Sequence, residues 1–255
     1  YYQQCLETIN PTISFIEPLL TGQYISAEVI QETAGRLGCK LEQVTRLLLG
    51  EAGASNVNLS EMQVVVESVA NSFGPGIFTA VHNGAIVLLL ETGIDAKSLA
   101  KAIQERLRMA LNETITILIS RLLRDLDDIR LGYDELRRSL VIIQRLGKAG
   151  SVVAFDELGV YRVLLSVDRS ILEELTQRAL GPLLKDEHKE ELLSTLNSYL
   201  RSGGHQQQTA EECFIHLNTV KYRLKKVAQL LNINLSNPEE RFELNFVLHA
   251  LDVLE

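Results

Sequence analysis

One short segment of the chain groups the residue types that bind nucleic acid. Between residues 209 and 231, lysines recur beside an asparagine, a glutamine and a tyrosine at spacings that favour one helix face. Ammonium groups neutralise phosphates, and amide and phenol groups hydrogen-bond to base edges. No acidic residue occurs from Asn218 to Asn237, whereas a plain surface helix usually intersperses glutamate with lysine. The segment is therefore a candidate nucleic-acid-binding helix.

Apolar spacing predicts which side of that helix faces inward. At about 100° per residue, four apolar residues fall on one narrow stripe, and the polar side chains lie opposite, with Lys221 on the flank. Arg223 sits nearer the buried edge, where it could instead pair with an acidic neighbour. The stripe comprises Val220, Leu224, Val227 and Leu231, and the exposed face comprises Asn218, Tyr222, Lys225, Lys226 and Gln229.

Two cap signals place this helix in a helix-turn-helix. Thr209 followed by Glu212 has the spacing of a capping box, so a short helix is expected from Ala210. Asn218-Thr219 predicts the start of the longer helix, which leaves a tight turn at 215–217. The hypothesis is that the helix from Thr219 enters the major groove of double-stranded DNA.

Nine residues are the predicted DNA contacts of this motif. His216 lies at the turn, where it would either touch a phosphate or stabilise the turn, and both roles stay open. Tyr222 would stack on or hydrogen-bond to DNA, against the alternative of surface packing, and DNA is favoured. The full set is Thr209, His216, Asn218, Thr219, Lys221, Tyr222, Arg223, Lys225 and Lys226.

The net charge conceals this segment. The chain has 255 residues, with 25 Lys and Arg and 33 Asp and Glu, which gives a formal net charge of −8. A negative net charge taken alone argues against binding to nucleic acid. Residues 200–231, however, hold five basic and two acidic residues, a net +3, whereas residues 1–199 carry −7 and residues 232–255 carry −4. The acidity therefore belongs to the surroundings of the motif, and we expect weak non-specific DNA binding.

Composition excludes several other classes of protein. The chain is 46% hydrophobic and 23% charged, which is typical of folded globular proteins and not of disordered chains. No run approaches the ~18 apolar residues that span a bilayer, so no membrane partner is expected. Cys5, Cys39 and Cys213 are odd in number and lack a CxxC spacing, which favours a reducing cytoplasm. Tyr1 in place of an initial Met suggests a fragment or a processed chain.

The residues around the turn resemble a known family. His216-Leu217-Asn218-Thr219-Val220-Lys221-Tyr222-Arg223-Leu224 closely resembles the signature His-x-Asn-Thr-[Leu/Val]-x-Tyr-Arg-Leu of the PucR/CdaR family of bacterial transcription regulators. The segments 194–200, 209–210 and 237–241 agree with the same family. The resemblance implies a sequence-specific regulator that binds an operator, and a small metabolite is the expected trigger. The targets of such a regulator would lie in purine or sugar-diacid catabolism, or in secondary metabolism such as polyketide synthesis. A homodimer is expected because a single helix-turn-helix unit rarely gives enough affinity and operators mirror two-fold symmetry.

The upstream half predicts an α+β domain. From about residue 43 the order is strand, helix, strand, turn, strand, helix, strand, helix, strand, which contains a β-α-β-β-α-β unit. The strongest local signal is Asn83-Gly84 between the apolar runs 77–81 and 85–90, because both residues tolerate the positive φ of a hairpin turn. Ser26, Ser60, Asp95 and Asp125 are expected helix N-caps, and Pro182 is expected to interrupt a helix.

This order is similar to the degenerate GGDEF-like domain that precedes the DNA-binding domain in members of that family. The segments 133–137 and 155–159 resemble its final helix and the exit from its last strand. The hairpin turn reads His82-Asn83-Gly84 and lacks the catalytic and metal-binding acids of a cyclase, so no enzyme activity is expected. The predicted fold is a GGDEF-like mixed sheet with packed helices followed by an all-α helix-turn-helix domain. The predicted domains are 1–40 (helical), 41–157 (GGDEF-like) and 158–255 (helical, with the motif at 209–231).

Three alternatives stay open. Residues 41–157 could be an active nucleotide cyclase, the helix-turn-helix could bind a protein as part of a scaffold, or the motif could belong to a Fis-like regulator. No phosphate-binding or esterase motif occurs, and none of the five histidines has the neighbours of a metal site, so neither a metal nor a cofactor is expected.

Overall fold

The chain forms two structural units in the computed structural model, which describes residues 13–53 and 58–254. The first unit ends at Arg162 and the second begins at Val163. Cys5 and residues 54–57 lie outside the described residues. No helix in the described part of the chain is both long and apolar enough to cross a bilayer.

The first unit alternates helices and strands in the predicted order. Two helices precede the first strand, and the remaining helices separate the strands except at the β2–β3 hairpin. The elements are α1 (Ile13–Thr21), α2 (Ala27–Arg36), β1 (Val44–Ala52), α3 (Leu59–Phe73), β2 (Ile77–His82), β3 (Ala85–Glu91), α4 (Ala96–Leu111), β4 (Ile115–Ile119), α5 (Leu126–Arg145) and β5 (Val152–Ala154).

The strands form one five-stranded sheet in the order β2-β3-β1-β4-β5. All neighbouring pairs are antiparallel except β4 and β5, which are parallel. In the centre of the sheet, Leu48 lies opposite Leu88 on one side and Ile119 on the other. The expected mixed sheet and α+β fold class are therefore confirmed.

Helices cover both faces of this sheet. Leu48, Leu88 and Ile117 belong to a core cluster with residues of α3 and α4. Because side chains alternate along a strand, Leu47 and Leu49 point to the opposite face, where α1 and α5 contact the sheet. Burial on both faces explains why the strands read as continuous apolar runs and not as alternating patterns.

The β2–β3 hairpin confirms the Asn-Gly prediction. Asn83 has φ 48° and Gly84 has φ 77°, the left-handed conformation at both turn positions that a type I′ turn requires. His82 pairs with Ala85 to close the two-residue loop. The predicted N-caps Ser26, Asp95 and Asp125 are likewise confirmed, since each side chain accepts a hydrogen bond from a backbone N–H of its helix.

The predicted cap at Ser60 is wrong. Asn58 caps α3 instead, and its Oδ1 accepts from the Ser60 and Glu61 backbone N–H groups at 3.1 and 3.4 Å. Asparagine and serine are both good caps, and the choice of Asn58 lets Leu59 join the helix and pack against the core of the sheet.

The second unit consists of helices around a single core. The core is built from the inward faces of α7, α8, α10 and α11, with residues such as Leu183, Leu196, Leu224 and Leu248. Its elements, including a short helix that spans the boundary between units, are α6 (Val160–Leu165), α7 (Arg169–Leu184), α8 (Lys189–Arg201), α9 (Gln206–Glu212), α10 (Leu217–Leu231) and α11 (Pro238–Leu254).

The interruption predicted at Pro182 is also wrong, because α7 continues through it to Leu184. Proline inside a helix removes one backbone hydrogen bond, and its ring clashes with the preceding turn. Here it stands two residues from the helix end, and the flanking Leu180 and Leu183 are fully buried. Burial of those leucines opposes the cost of the proline.

Candidate nucleic-acid interface

The helix-turn-helix is formed by α9, a turn at 213–216 and α10, but α9 begins earlier than the capping box predicted. The helix begins at Gln206, so Thr209 lies inside it and does not cap it. Thr209 is fully buried, and its hydroxyl donates to the His205 carbonyl oxygen at 2.9 Å. Its Oγ1 also lies 3.2 Å from the Ser202 hydroxyl. Thr209 therefore stabilises the start of the motif from the inside, and its full burial does not fit the DNA contact predicted for it.

The start of α10 differs from the prediction for a similar reason. The helix begins at Leu217, and His216 is its N-cap, so the cap predicted at Asn218-Thr219 is wrong. The His216 Nδ1 accepts from the Asn218 backbone N–H at 3.2 Å. Of the two roles open for His216, the turn-stabilising one is present. An imidazole that accepts at Nδ1 carries its proton on Nε2, so a donor remains for an anion.

The turn contains a residue that the sequence analysis did not single out. Phe214 has φ 54° and is 96% exposed. The other non-glycine residues with positive φ in the described part of the chain are asparagines, which tolerate this conformation. A signal was available, since the turn needs one left-handed residue and the 213–215 segment offers no glycine.

The inward stripe of α10 is confirmed. Val220 and Val227 are fully buried, Leu224 is nearly so, and all three join the core of the second unit. Leu231 is half-buried at the end of the helix. This stripe fixes which side chains of α10 can face outward.

Five polar residues of α10 lie at the surface. Thr219 is half-buried beside them. The ammonium groups of Lys221 and Lys225 form no ion pair with any residue that the structure describes. The two ammonium groups make a cationic face with no carboxylate on it, and the neutral Nε2–H donor of His216 lies at its N-terminal end. The five exposed residues, called here the α10 face, are Asn218, Lys221, Tyr222, Lys225 and Gln229.

Besides Thr209, two more of the predicted DNA contacts are held within the unit. Arg223 forms an ion pair with Glu191 and donates to the Thr195 hydroxyl at 3.2 Å, as the alternative reading of this residue anticipated. The Lys226 Nζ lies 2.8 Å from Asp186 Oδ1, so its predicted place on the free surface is wrong. The hydrogen bond from Lys226 lowers the pKa of Asp186, and the same bond raises the pKa of Lys226. Both cations tie α10 to the α7–α8 region.

The hairpin of the first unit holds no comparable site. The His82 ring meets the Tyr133 ring edge-on at 5.5 Å, and His82 Nδ1 lies 3.8 Å from Glu17 Oε1. No group of three or more potential metal ligands occurs among residues 13–53 and 58–254.

Comparison with protein families finds one matching domain in each half of the chain. Residues 192–250 match the PucR C-terminal helix-turn-helix domain, and residues 21–142 match a GGDEF-like domain. The first match contains all of α9 and α10, and the second runs from the end of α1 to most of α5.

Several curated proteins of Bacillus subtilis are similar to parts of the chain. The proline-responsive transcriptional activator PutR is 37% identical over 35% of this chain and 23% of its own length. The DNA-binding transcriptional activator AdeR is 24% identical over 58% of this chain and 35% of its own length. The purine catabolism regulatory protein is 38% identical over 25% of this chain and 12% of its own length. The chain thus spans at most about a third of the length of these relatives.

Proposed function

We propose that this chain, which belongs to the PucR/CdaR family of transcription regulators, binds an operator in double-stranded DNA through α10 and thereby regulates transcription. The observation that carries the proposal is the α10 face. It follows directly on a helix-turn-helix turn, it presents amide, phenol and ammonium groups together, and it contains no acid. That combination matches the donors and cations that phosphates and base edges require.

In this mechanism α10 lies in the major groove with its N-terminal turn towards the bases. Asn218 and Tyr222 are the groups placed to read base edges, while Lys221 and Lys225 neutralise phosphates. His216 Nε2 donates to a phosphate next to the turn. Arg223 and Lys226 act from behind, because their ion pairs with Glu191 and Asp186 fix the angle of α10 on its unit.

The first unit is proposed to be regulatory and not catalytic. Its hairpin turn carries His82-Asn83-Gly84 where a cyclase carries acidic residues, so a small-molecule effector would act on DNA affinity and not be turned over. The relatives are named for proline response and purine catabolism, which supports a small metabolite as the effector. We infer a cytoplasmic homodimer, since paired half-sites give a helix-turn-helix protein its affinity.

Two adjacent lysines provide the test. The DNA ligand is a duplex that the wild-type chain selects from a random library. Its affinity for each variant is measured across a series of salt concentrations. Lys225→Ala should reduce the slope of log affinity against log salt by about 1, the effect of one lost phosphate contact. Lys226→Ala should leave that slope unchanged and lower the thermal midpoint instead, because Lys226 is paired with Asp186.

Equal slopes for wild type and Lys225→Ala, with unchanged affinity, would overturn the proposal for α10. The same result would favour the protein-interaction scaffold, in which the helix-turn-helix contacts another protein.

A further inference from the structure

A groove of about 450 Å³ lies in the second unit, away from the α10 face. Its floor is apolar and is formed by α7, the end of α10 and α11. We call it the α7–α11 groove. Its apolar lining includes Leu175, Ala179, Ile233, Leu244 and Val247.

The rim of the groove exposes a large aromatic side chain. Phe242 is 69% exposed although it stands one turn from the buried core residues of α11. Burial of a phenylalanine ring is favourable, so an exposed ring beside an apolar groove marks a surface that would be stabilised by being covered. The groove therefore combines an apolar floor that can receive a side chain with an exposed ring, Phe242, that can enter such a floor.

The rim also carries charges of both signs. Arg178 lies on the α7 wall and Glu243 on the α11 wall, and both are exposed. Neither has an ion-pair or hydrogen-bond partner among residues 13–53 and 58–254. The carboxylate of Glu240, by contrast, is already occupied, since it accepts from the Asn234 backbone N–H and from Asn237 Nδ2 at 2.6 and 2.9 Å. Arg178 and Glu243 are thus left as one available cation and one available anion.

A second copy of the chain complements this pattern. In a two-fold interface the same patch appears on both sides, so Arg178 of one copy meets Glu243 of the other and the reverse pair forms at once. Each Phe242 can then enter the apolar floor of the opposite groove. A partner with a single sign of charge would satisfy only one of the two groups.

The position of the groove is compatible with DNA binding. It lies at the Leu231 end of α10, whereas Asn218 and Lys221 belong to the other end. A helix of 15 residues is roughly 22 Å long at 1.5 Å per residue, so a partner in the groove leaves the N-terminal part of the α10 face, with Asn218 and Lys221, free. Two such helices that meet near their C-terminal ends can present N-terminal ends roughly 34 Å apart, one turn of DNA.

We propose that the α7–α11 groove is the two-fold interface between two copies of this chain, with Phe242 as the apolar anchor and Arg178–Glu243 as reciprocal ion pairs. The purpose of this dimer rests on the proposed DNA-binding function, but its existence does not.

The test is the mass of the full chain in solution, measured by sedimentation over a concentration series without DNA. Wild type should be a dimer. Phe242→Glu, Arg178→Glu and Glu243→Arg should each weaken dimerisation by at least about tenfold. The double variant Arg178→Glu/Glu243→Arg should restore the dimer, because the charges are exchanged and the pairs re-form. Ile171→Glu, at an exposed apolar position of α7 outside the groove lining, is the matched control and should leave the mass unchanged.

The restored double variant keeps the test independent of folding, since a misfolded chain would not recover its mass. A monomeric wild type would overturn the proposal. So would a dimer that is indifferent to all groove variants, as expected if the first unit supplies the interface, and so would a double variant that stays monomeric. Failure of DNA binding is separate, because Lys225→Ala changes the salt slope and not the mass, while Phe242→Glu changes the mass and still binds a single half-site duplex through α10.

Discussion

Phe214 is the residue whose conformation and exposure are hardest to explain by stability alone. A left-handed backbone costs a residue with a Cβ atom roughly 1–2 kcal/mol, and the Phe214 ring, almost wholly exposed, returns little of that by burial. The ring borders a shallow depression that it shares with Gln207, His216 and Asn218, next to the α10 face. We infer that Phe214 contacts the sugars or a thymine methyl of bound DNA.

Phe214→Gly separates the cost of the left-handed backbone from the DNA contact inferred for the ring. Glycine adopts positive φ without cost, so the free energy of unfolding should rise by up to about 1 kcal/mol, reduced by the greater freedom of glycine in the unfolded chain. Affinity for the selected duplex should fall about tenfold, because the apolar contact is lost. Chemical denaturation and DNA titration of the same preparation measure both effects.

Asn232 provides the matched control for this substitution. It ends α10 in the left-handed conformation with φ 53° and is exposed, but it lies at the opposite end of the helix from the turn. Asn232→Gly should therefore leave DNA affinity unchanged. If Phe214→Gly lowered stability and left DNA affinity intact, the ring would have a structural role and the inferred contact would be wrong.

At this scale the sequence predicted which residue types matter but not which of them are free. Lys225 and Lys226 are adjacent and identical in chemistry, and helical periodicity placed both on the exposed face. Only Lys226 meets Asp186, which is 40 positions earlier in the chain. A carboxylate that arrives from a distant loop leaves no local pattern, so periodicity could not distinguish the two lysines.

At the scale of single elements, the turn of the β2–β3 hairpin depends on a residue that can adopt positive φ at position 84. Gly84 has φ 77°, and a Cβ added there would meet nothing within 4 Å, so a side chain at this position would be opposed by the backbone alone. Gly84→Ala should therefore lower the free energy of unfolding by about 1 kcal/mol. Chemical denaturation followed by circular dichroism measures it.

Gly35 is a control with the opposite expected sign. It lies exposed in α2 with an ordinary helical φ and open space around its Cβ position. Gly35→Ala should raise the free energy of unfolding by roughly 0.5–1 kcal/mol, because alanine favours the helix. Stabilisation by Gly84→Ala would contradict the type I′ turn.

Elements with strong local signals were predicted well, and helix ends that depend on tertiary contacts were not. The Asn-Gly turn and the caps Asp95 and Asp125 needed only neighbouring residues. The start of α9 depends on Thr209, whose buried hydroxyl contacts the His205 carbonyl oxygen and the Ser202 hydroxyl. From the sequence alone, Thr209 and Glu212 have the same spacing as a capping box, so this internal threonine was predicted to be a cap. The imidazole cap at His216 fell outside the usual set of capping residues.

At the scale of the whole molecule, the acidic net charge of the chain is compatible with its proposed DNA binding because of where the charged residues lie. The second unit, residues 163–255, itself holds 10 basic and 14 acidic residues. Two of those acids, Asp186 and Glu191, neutralise Lys226 and Arg223 directly. Since the pKa of Asp186 is lowered, its ion pair is complete at neutral pH and is lost only as the pH falls through that lowered value. Non-specific affinity is therefore restrained by short-range pairing as well as by net charge.

The double variant Asp186→Asn/Glu191→Gln should release both cations to solvent. Affinity for a duplex of random sequence at low salt should rise about tenfold or more, and the salt slope should steepen by up to about 2, one unit for each new phosphate contact. Glu28→Gln/Glu42→Gln is the control, since it removes the same two charges from exposed positions of the first unit. This control frees no cation of α10, so its salt slope should stay that of wild type. An equal rise in both variants would assign the restraint to net charge alone, and tight, salt-insensitive binding of random DNA by wild type would contradict the restraint altogether.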